Sequence, residues 1–389
     1  MIRAARSHRL GEAFAALLLF AAPAQAAPPY RVVPGLFVAA RPDDLGLKPA
    51  PGTQSFTIFR PRAGAPHYAN GVVLMPFKGK LYAQWQASAR DEDAPDTFVA
   101  YSRSRDGEHW SAPQTLVPSG HIMHSSGGWW TDGKILVAYD NAWPGGFDHH
   151  QGGYAEYRSS TDGVHWSKAR RVMGADGKPV DGVIEQDPHA LPDGRIITAF
   201  HRQPGLIVAP YYTDDPTGIA GWTKGLMQNL PHNGAMSREL EPSWFRRRDG
   251  AVVMVFRDQD SSFRQLAAAS ADRGATWTTP VVTDMPDSRA KQSAGNLPDG
   301  TAFLVNEPSG TKRRVPLVVT LSRDGGLFDK AFLLRGGADL QTLRFPGKYK
   351  NTGYDYPKSV LWKGWLYVGY ATNKEDVQLT RVPVKSLRD

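Results

Sequence analysis

The chain has 389 residues, enough to bury a sizeable core in one large domain or two small ones, and it carries a formal net charge of +8 with no cysteine. The lack of cysteine excludes disulfides, thiolate metal sites, a cysteine nucleophile and a lipid-anchored N-terminal cysteine. The positive excess is spread along the chain without a basic run, which favours acidic ligands weakly and speaks against nucleic acid.

Residues 1–26 read as a secretory signal. Arg3, Arg6 and Arg9 precede an apolar run from Ala13 to Ala22, and Ala24-Gln25-Ala26 offers a small-residue cleavage site. No later stretch approaches the ~18 uninterrupted apolar residues of a membrane span. The expectation is a soluble, periplasmic or secreted mature chain, a monomer with one domain over residues 27–389. An uncleaved N-terminal anchor is the alternative. Frequent Gly, Pro and aromatic residues, without an amphipathic helix of ordinary length, suit many short strands and tight turns.

From Ala27 to about Gln54 the sequence is Pro-rich and irregular, with one strand-like run at Leu36-Phe37-Val38-Ala39. A Gly turn leading into an apolar strand then recurs six times. It appears as Lys78-Gly79, Asp132-Gly133, Asp193-Gly194, Asp249-Gly250, Asp299-Gly300 and Lys363-Gly364. Each copy follows another short apolar strand, such as Gly71-Val72-Val73-Leu74.

A second repeat follows all but the last of these strands. Ser270-Ala271-Asp272-Arg273-Gly274-Ala275-Thr276-Trp277 is its fullest copy, and shorter ones begin at Ser104, Ser160 and Ser322. A looser version runs from Thr213 to Trp222. The aspartates at 106, 162, 215, 272 and 324 recur every 52–57 residues. An Asp side chain can bond backbone N–H groups two residues on, Gly supplies positive φ, and the aromatic plugs apolar space between strands. These aspartates therefore read as scaffold despite their acidity.

Four short antiparallel strands in roughly 50–60 residues cannot bury both faces alone, and radial stacking of such sheets solves the problem. The expectation is an all-β, six-bladed β-propeller with four-stranded antiparallel blades. The last unit lacks the turn motif and a fourth strand of its own. Leu36-Phe37-Val38-Ala39 is expected to supply that outer strand, so that an N-terminal strand closes the ring.

The S-x-D-x-G-x-T-W turn resembles the Asp-box of sialidases and related six-bladed propellers, and its five copies cover most of the mature chain. Ligands of such propellers sit at one mouth of the central channel. The loops that enter the first strands here are Pro66-His67-Tyr68-Ala69-Asn70, His121-Ile122-Met123-His124 and Glu185-Gln186-Asp187-Pro188-His189. Blades four to six offer Arg238-Glu239-Leu240-Glu241, Asp287-Ser288-Arg289-Ala290-Lys291-Gln292 and Tyr354-Asp355-Tyr356-Pro357-Lys358. Their wealth of His, Glu, Arg and Tyr marks a polar ligand site, and His67, His124, His189 and Arg289 join the candidate binding residues.

The resemblance implies a tyrosine nucleophile with a neighbouring glutamate as its base, an aspartate on a mobile loop as general acid, and three arginines holding a carboxylate. Free phenol ionises near pH 10, so the glutamate matters. In blade four Glu241, Asp249-Gly250 and Arg257 fall in the family order ahead of the box at Ser270. Arg314 stands eight residues before Ser322, with Arg313 a near competitor. Asp93 precedes Ser104 by eleven residues, close to where sialidases carry the acid. Tyr356 lies eight residues before Gly364, with Tyr354 as the alternative. Structural readings stand beside each: Arg257 paired with Asp258 or Asp260, Asp93 in the solvated run Asp91-Glu92-Asp93, and Tyr356 in packing.

Blade one departs from the family. Counting back from Gly79 to the position of the first arginine gives Ala69, between His67 and Asn70, and the nearest lookalike, Phe59-Arg60-Pro61-Arg62, lies too early. The extra histidines, His201 among them, suggest a site rebuilt for another sugar, and a histidine is the side chain poised nearest neutral pH. The order of histidines and carboxylates matches no metal motif, and no cofactor is expected. The leading expectation is an exported, exo-acting, retaining glycoside hydrolase acting on terminal acidic sugars of a glycan or oligosaccharide. The alternatives are a propeller glycosidase or polysaccharide lyase using a funnel histidine, and a non-catalytic glycan-binding propeller.

Overall fold

Beginning at Tyr68, the chain runs in short antiparallel meanders, each turning from its first strand into its second at a glycine. Gly79, Gly133, Gly194, Gly250, Gly300 and Gly364 all have φ between 76° and 92°, a region that L side chains avoid. The structure, a computed structural model, describes residues 27–146, 152–186 and 188–388, so the expected signal segment lies outside the described residues. Among the described residues no helix is long and apolar enough to cross a membrane.

Six sheets form the ring of a six-bladed β-propeller. Blade one comprises Tyr68–Phe77, Lys80–Ser88, Phe98–Ser104 and Gln114–Val117, and blade two Met123–Thr131, Leu136–Trp143, Tyr154–Ser160 and Arg170–Arg171. In blade three the first strand is split into Val183–Ile184 and His189–Ala190, both paired with Ile196–Arg202, and Ile207–Thr213 and Thr223–Lys224 follow. Blade four is Glu239–Arg246, Val252–Asp258, Arg264–Ser270 and Val281–Pro286. Blade five is Ser293–Asn296, Ala302–Asn306, Leu317–Ser322 and Lys330–Arg335. The second strand of blade two, Leu136–Trp143, is buried along its whole length because neighbouring blades cover both faces.

Blade six contributes Tyr354–Trp362, Trp365–Thr372 and Asp376–Pro383, and an N-terminal strand does close the ring. That strand is Gln54–Phe59, antiparallel to Asp376–Pro383 with Gln54 opposite Arg381. The expectation for Leu36-Phe37-Val38-Ala39 is corrected: the segment forms turns in which Val38 N–H bonds Leu45 O and Arg41 N–H bonds Val38 O. Leu36 and Phe37 instead pack on the core shared by blades four and five.

The Asp-boxes fasten neighbouring blades. Asp272 accepts from Ser270 Oγ at 2.8 Å, from Thr276 N at 2.8 Å and from Thr276 Oγ1 at 2.6 Å. Asp106 and Asp162 likewise each accept two backbone N–H groups of their own turn. The box glycines Gly107, Gly163 and Gly274 lie against the second strand of the preceding blade. A Cβ on Gly163 would meet Tyr82 Oη at 2.1 Å, and one on Gly107 would meet Tyr367 at 2.6 Å across the ring closure. Blade six has no box, and the C-terminal helix Val384–Arg388 fills that place. Its Val384 and Leu387 join the core between blades five and six, and Arg388 pairs with Asp299 at 3.0 Å.

Candidate active site

A cavity of about 410 Å³ opens where the first strands of the blades converge. Asp93, Glu241, Arg257, Arg314 and Tyr356, drawn from blades one, four, five and six, all line it. Glu241 and Tyr356 reach it from bulges: the ladder skips between Leu240 and Ser243 and between Asp355 and Lys358. Both residues adopt positive φ, as do Asp93 and Arg289. Such conformations cost about 1–3 kcal/mol each and persist only where the surroundings impose them.

Arg257 ties the constellation together. Its Nη1 donates to Glu241 Oε2 at 2.8 Å and lies 3.4 Å from Tyr356 Oη, while Nη2 donates to Gln259 at 2.9 Å. Its buried Nε meets no acceptor among the described residues. Burial pushes the Glu241 carboxyl up, but Arg257 and Lys291 outweigh it and bring it down to about 2, so it is ionised at neutral pH. Arg314 pairs with Asp355 and sits 5.1 Å from the centre of the Tyr356 ring. Arg313 faces away and bonds Asp43 and Pro42 O at the surface, which separates the two competing arginines. Tyr354 is fully buried and donates to Gly336 O, so of the two tyrosines only Tyr356 lines the cavity.

Two lysines that the sequence reading did not select also line the cavity. Lys291 bonds Glu185 at 2.9 Å and Gln186 at 2.8 Å, and lies 5.3 Å from the Tyr356 ring centre. Lys374, from the turn before the third strand of blade six, pairs with Glu92 and lies 5.6 Å from the same ring. Burial lowers both ammonium groups, yet the facing carboxylates, Glu185 and Glu92 foremost, leave each above its ordinary value and therefore charged. The apolar part of the lining is Trp143, Val183, Ile184, Leu206, Met236 and Leu240. A loop over residues 341–351 adds Tyr349 and Asn351. It is held by Glu375, which accepts from Phe345 N, and by Asp91, which accepts from Lys348 N.

Most of the expected binding histidines lie elsewhere. His67 stacks on Phe345 with ring centres 3.9 Å apart, and His189 stacks on Trp244 at 3.8 Å with Nε2 2.9 Å from Trp244 O. His124 Nδ1 lies 2.8 Å from Asp140 Oδ2. None of the three is among the cavity-lining residues; two of the rings stack on aromatic neighbours and the third lies at hydrogen-bond distance from a carboxylate. Arg289 stands beside the lining, close enough to Arg257 to be disfavoured as a cation by burial and by that neighbour. His201 does line the cavity, its Nε2 accepting from Glu241 N at 3.3 Å, and burial holds it largely neutral. His124, Asp140 and Glu156 bring potential metal-ligand atoms within 4.8 Å of one another, but Arg158 already supplies Asp140 with a cation.

The model of a BNR repeat-like domain matches residues 79–368. No curated protein sequence matches the chain. Solved structures similar to it include a sialidase at 17% identity and TM-score 0.67, with 92% of this chain and 35% of that protein covered. The chain thus spans about a third of that sialidase. A Hadza microbial sialidase matches at 15% identity and TM-score 0.67, covering 86% of this chain and 69% of that one. An intramolecular trans-sialidase from Ruminococcus gnavus matches at 14% identity and TM-score 0.63, covering 89% and 99%. At these identities the likeness is one of fold.

Proposed function

The chain belongs to the BNR repeat-like domain family, and we propose that it is an exported, exo-acting glycosidase that removes a terminal acidic sugar from a glycan with retention of configuration. The observation that carries this reading is the meeting of Glu241, Arg257 and Tyr356, with one guanidinium nitrogen 2.8 Å from the carboxylate and 3.4 Å from the phenol oxygen. Asp93 and Arg314 line the same cavity.

In the first step Tyr356 Oη bonds to the anomeric carbon as the glycosidic C–O bond breaks. Asp93 gives its proton to the departing oxygen, and the phenol proton passes to Glu241. In the second step Asp93, now a carboxylate, takes a proton from water. The water oxygen replaces Tyr356 at the same carbon, and Glu241 returns its proton to the phenolate. Arg257 and Arg314 hold the sugar carboxylate. As that anion draws Arg257 away from Glu241, the glutamate becomes a stronger base at the moment it is needed.

The test is a panel of released acidic glycans and aryl glycosides, sialosides included. Glu241→Gln and Tyr356→Phe are expected to cut turnover by orders of magnitude at unchanged melting temperature. Near-normal activity in either variant would remove the assigned roles. Saturable binding with no turnover of any glycan by the unaltered protein would make it a binding propeller.

A further inference from the structure

Blade one lacks the cation expected of it, and blade six brings one to the cavity. Ala69 is a buried alanine, and Asn70 beside it gives its amide to Glu92 at 3.3 Å. Arg60 turns to Asp376 at 3.0 Å with nearly half its side chain exposed, and Arg62 is exposed. Neither arginine lines the cavity. Lys374 does, with 3% of its surface exposed.

We propose that Lys374 is the third arm of an anion clamp that, with Arg257 and Arg314, holds the carboxylate of a sugar acid beside Tyr356. The inference rests on the reading of this cavity as a glycosidase site. Three cations from three blades surround one phenol: Arg257 Nη1 at 3.4 Å from its oxygen, and Arg314 and Lys374 at 5.1 and 5.6 Å from its ring centre. The ammonium has three N–H donors. Glu92 and Tyr349 O take two, which leaves one for a ligand oxygen.

Glu92 is itself braced by Tyr68 Oη at 3.2 Å and Asn70 Nδ2 at 3.3 Å. The acid therefore comes from blade one and the cation from blade six, and the pair fixes the ammonium at the cavity wall. Lysine lacks the planar fork of arginine, so this arm recognises charge and leaves geometry to the two guanidinium groups. Lys291 is the rival, since it lines the cavity 5.3 Å from the same ring. Its carboxylate partner lies deeper, at Glu185, which also faces Lys358 at 3.9 Å and His201 at 3.9 Å, so it belongs to a buried charge cluster of the channel.

The test compares the affinity of 2-deoxy-2,3-dehydro-N-acetylneuraminic acid and of glucuronic acid with that of their methyl esters. The proteins are the unaltered chain, Lys374→Met and Lys291→Met. Because Lys374→Met strands a buried carboxylate, the double variant Lys374→Met/Glu92→Gln is measured alongside. The expected result is that the unaltered protein prefers an acid over its ester. Loss of Lys374 then weakens the acid ~10-fold or more while the ester changes by less than about two-fold.

The proposal is overturned if the unaltered protein shows no preference for either acid, if the preference survives in both Lys374 variants, or if Lys291→Met alone abolishes it. A Lys374-dependent preference in a protein that turns over no glycoside would overturn the glycosidase reading and leave the clamp. Turnover of acidic glycosides with the preference intact in Lys374→Met would do the reverse.

Discussion

Glu241 and Tyr356 occupy the same bulge of their respective blades, at φ 52° and 55°, each followed by a proline. Proline has no N–H to give the ladder, and the bulge absorbs it while aiming the preceding side chain into the channel. Blade one has the same irregularity between Asn70 and Val73, with Gly71 at φ 65°. A Cβ there would come within 2.5 Å of Gln186 Nε2. One backbone device thus serves packing in blade one and presents Glu241 and Tyr356 to the cavity in blades four and six.

Because both residues are held in the left-handed region, glycine should be tolerated there better than alanine. Glu241→Ala and Glu241→Gly remove the same carboxylate, yet only alanine keeps a Cβ at positive φ. The glycine variant is expected to be the more stable by about 0.5–1 kcal/mol, and the same order should hold for Tyr356→Gly over Tyr356→Ala. Urea unfolding at neutral pH checks it. Equal stabilities would show that the backbone relaxes once the side chain is gone.

Asp287 and Glu307 give the fold a pH dependence outside the proposed chemistry. Burial pushes the Asp287 carboxyl up to about 6, and burial together with Asp287 pushes Glu307 well above the usual carboxylate range. Asn306 donates to Asp287 at 3.1 Å and Ser288 to Glu307 at 2.9 Å, while Glu307 Oε1 has no donor among the described residues. Both folded values exceed those of the unfolded chain, so the folded form retains protons that the unfolded chain releases near pH 4. Their favourable contribution is present below that pH and is lost as pH rises, through about 6 for Asp287 and through the raised range of Glu307 for the other. Glu307→Gln is expected to stabilise the protein at pH 8 by about 1–3 kcal/mol, with a smaller gap at pH 5. Urea titrations at the two pH values measure it. A variant less stable than the original at pH 8 would mean that Glu307 is ionised and held by Arg314.

The blades were legible in the sequence because their signals are local: a Gly turn and a box within a few residues, repeated at blade length. Glu241 and Arg257 could be located by their distance from a box, since strand length fixes which end of the blade they reach. Arg313 and Arg314 could not be separated, because one residue decides between the surface and the cavity. The outer strand of blade six was misplaced because a solid apolar run, Leu36-Phe37-Val38-Ala39, outweighed the alternating Gln54–Phe59. Lys374 was missed because its carboxylate lies 282 residues away across the ring closure, and Asn373-Lys374-Glu375-Asp376 reads as a solvated turn. His67, His124 and His189 fall outside the cavity lining and His201 within it, a difference that composition does not carry.

The boxes yield the prediction that separates scaffold from chemistry most directly. Asp272 is the most acidic-looking feature of its repeat, yet its carboxylate is occupied by Ser270 and Thr276, and Gly274 beside it rests on Ile197 of blade three. Hydrogen bonds to the ionised group hold it below the usual carboxylate range, opposing the effect of burial. Asp272→Ala should therefore cost about 1–2 kcal/mol, from bonds lost in a half-solvated turn, and lower the melting temperature by a few degrees. Turnover per folded molecule should stay unchanged, whereas Glu241→Gln should do the opposite. Melting curves and active-site-normalised kcat on the two variants decide the matter. A fall in kcat for a fully folded Asp272→Ala would assign the box a part in the reaction that its position between blades three and four does not suggest.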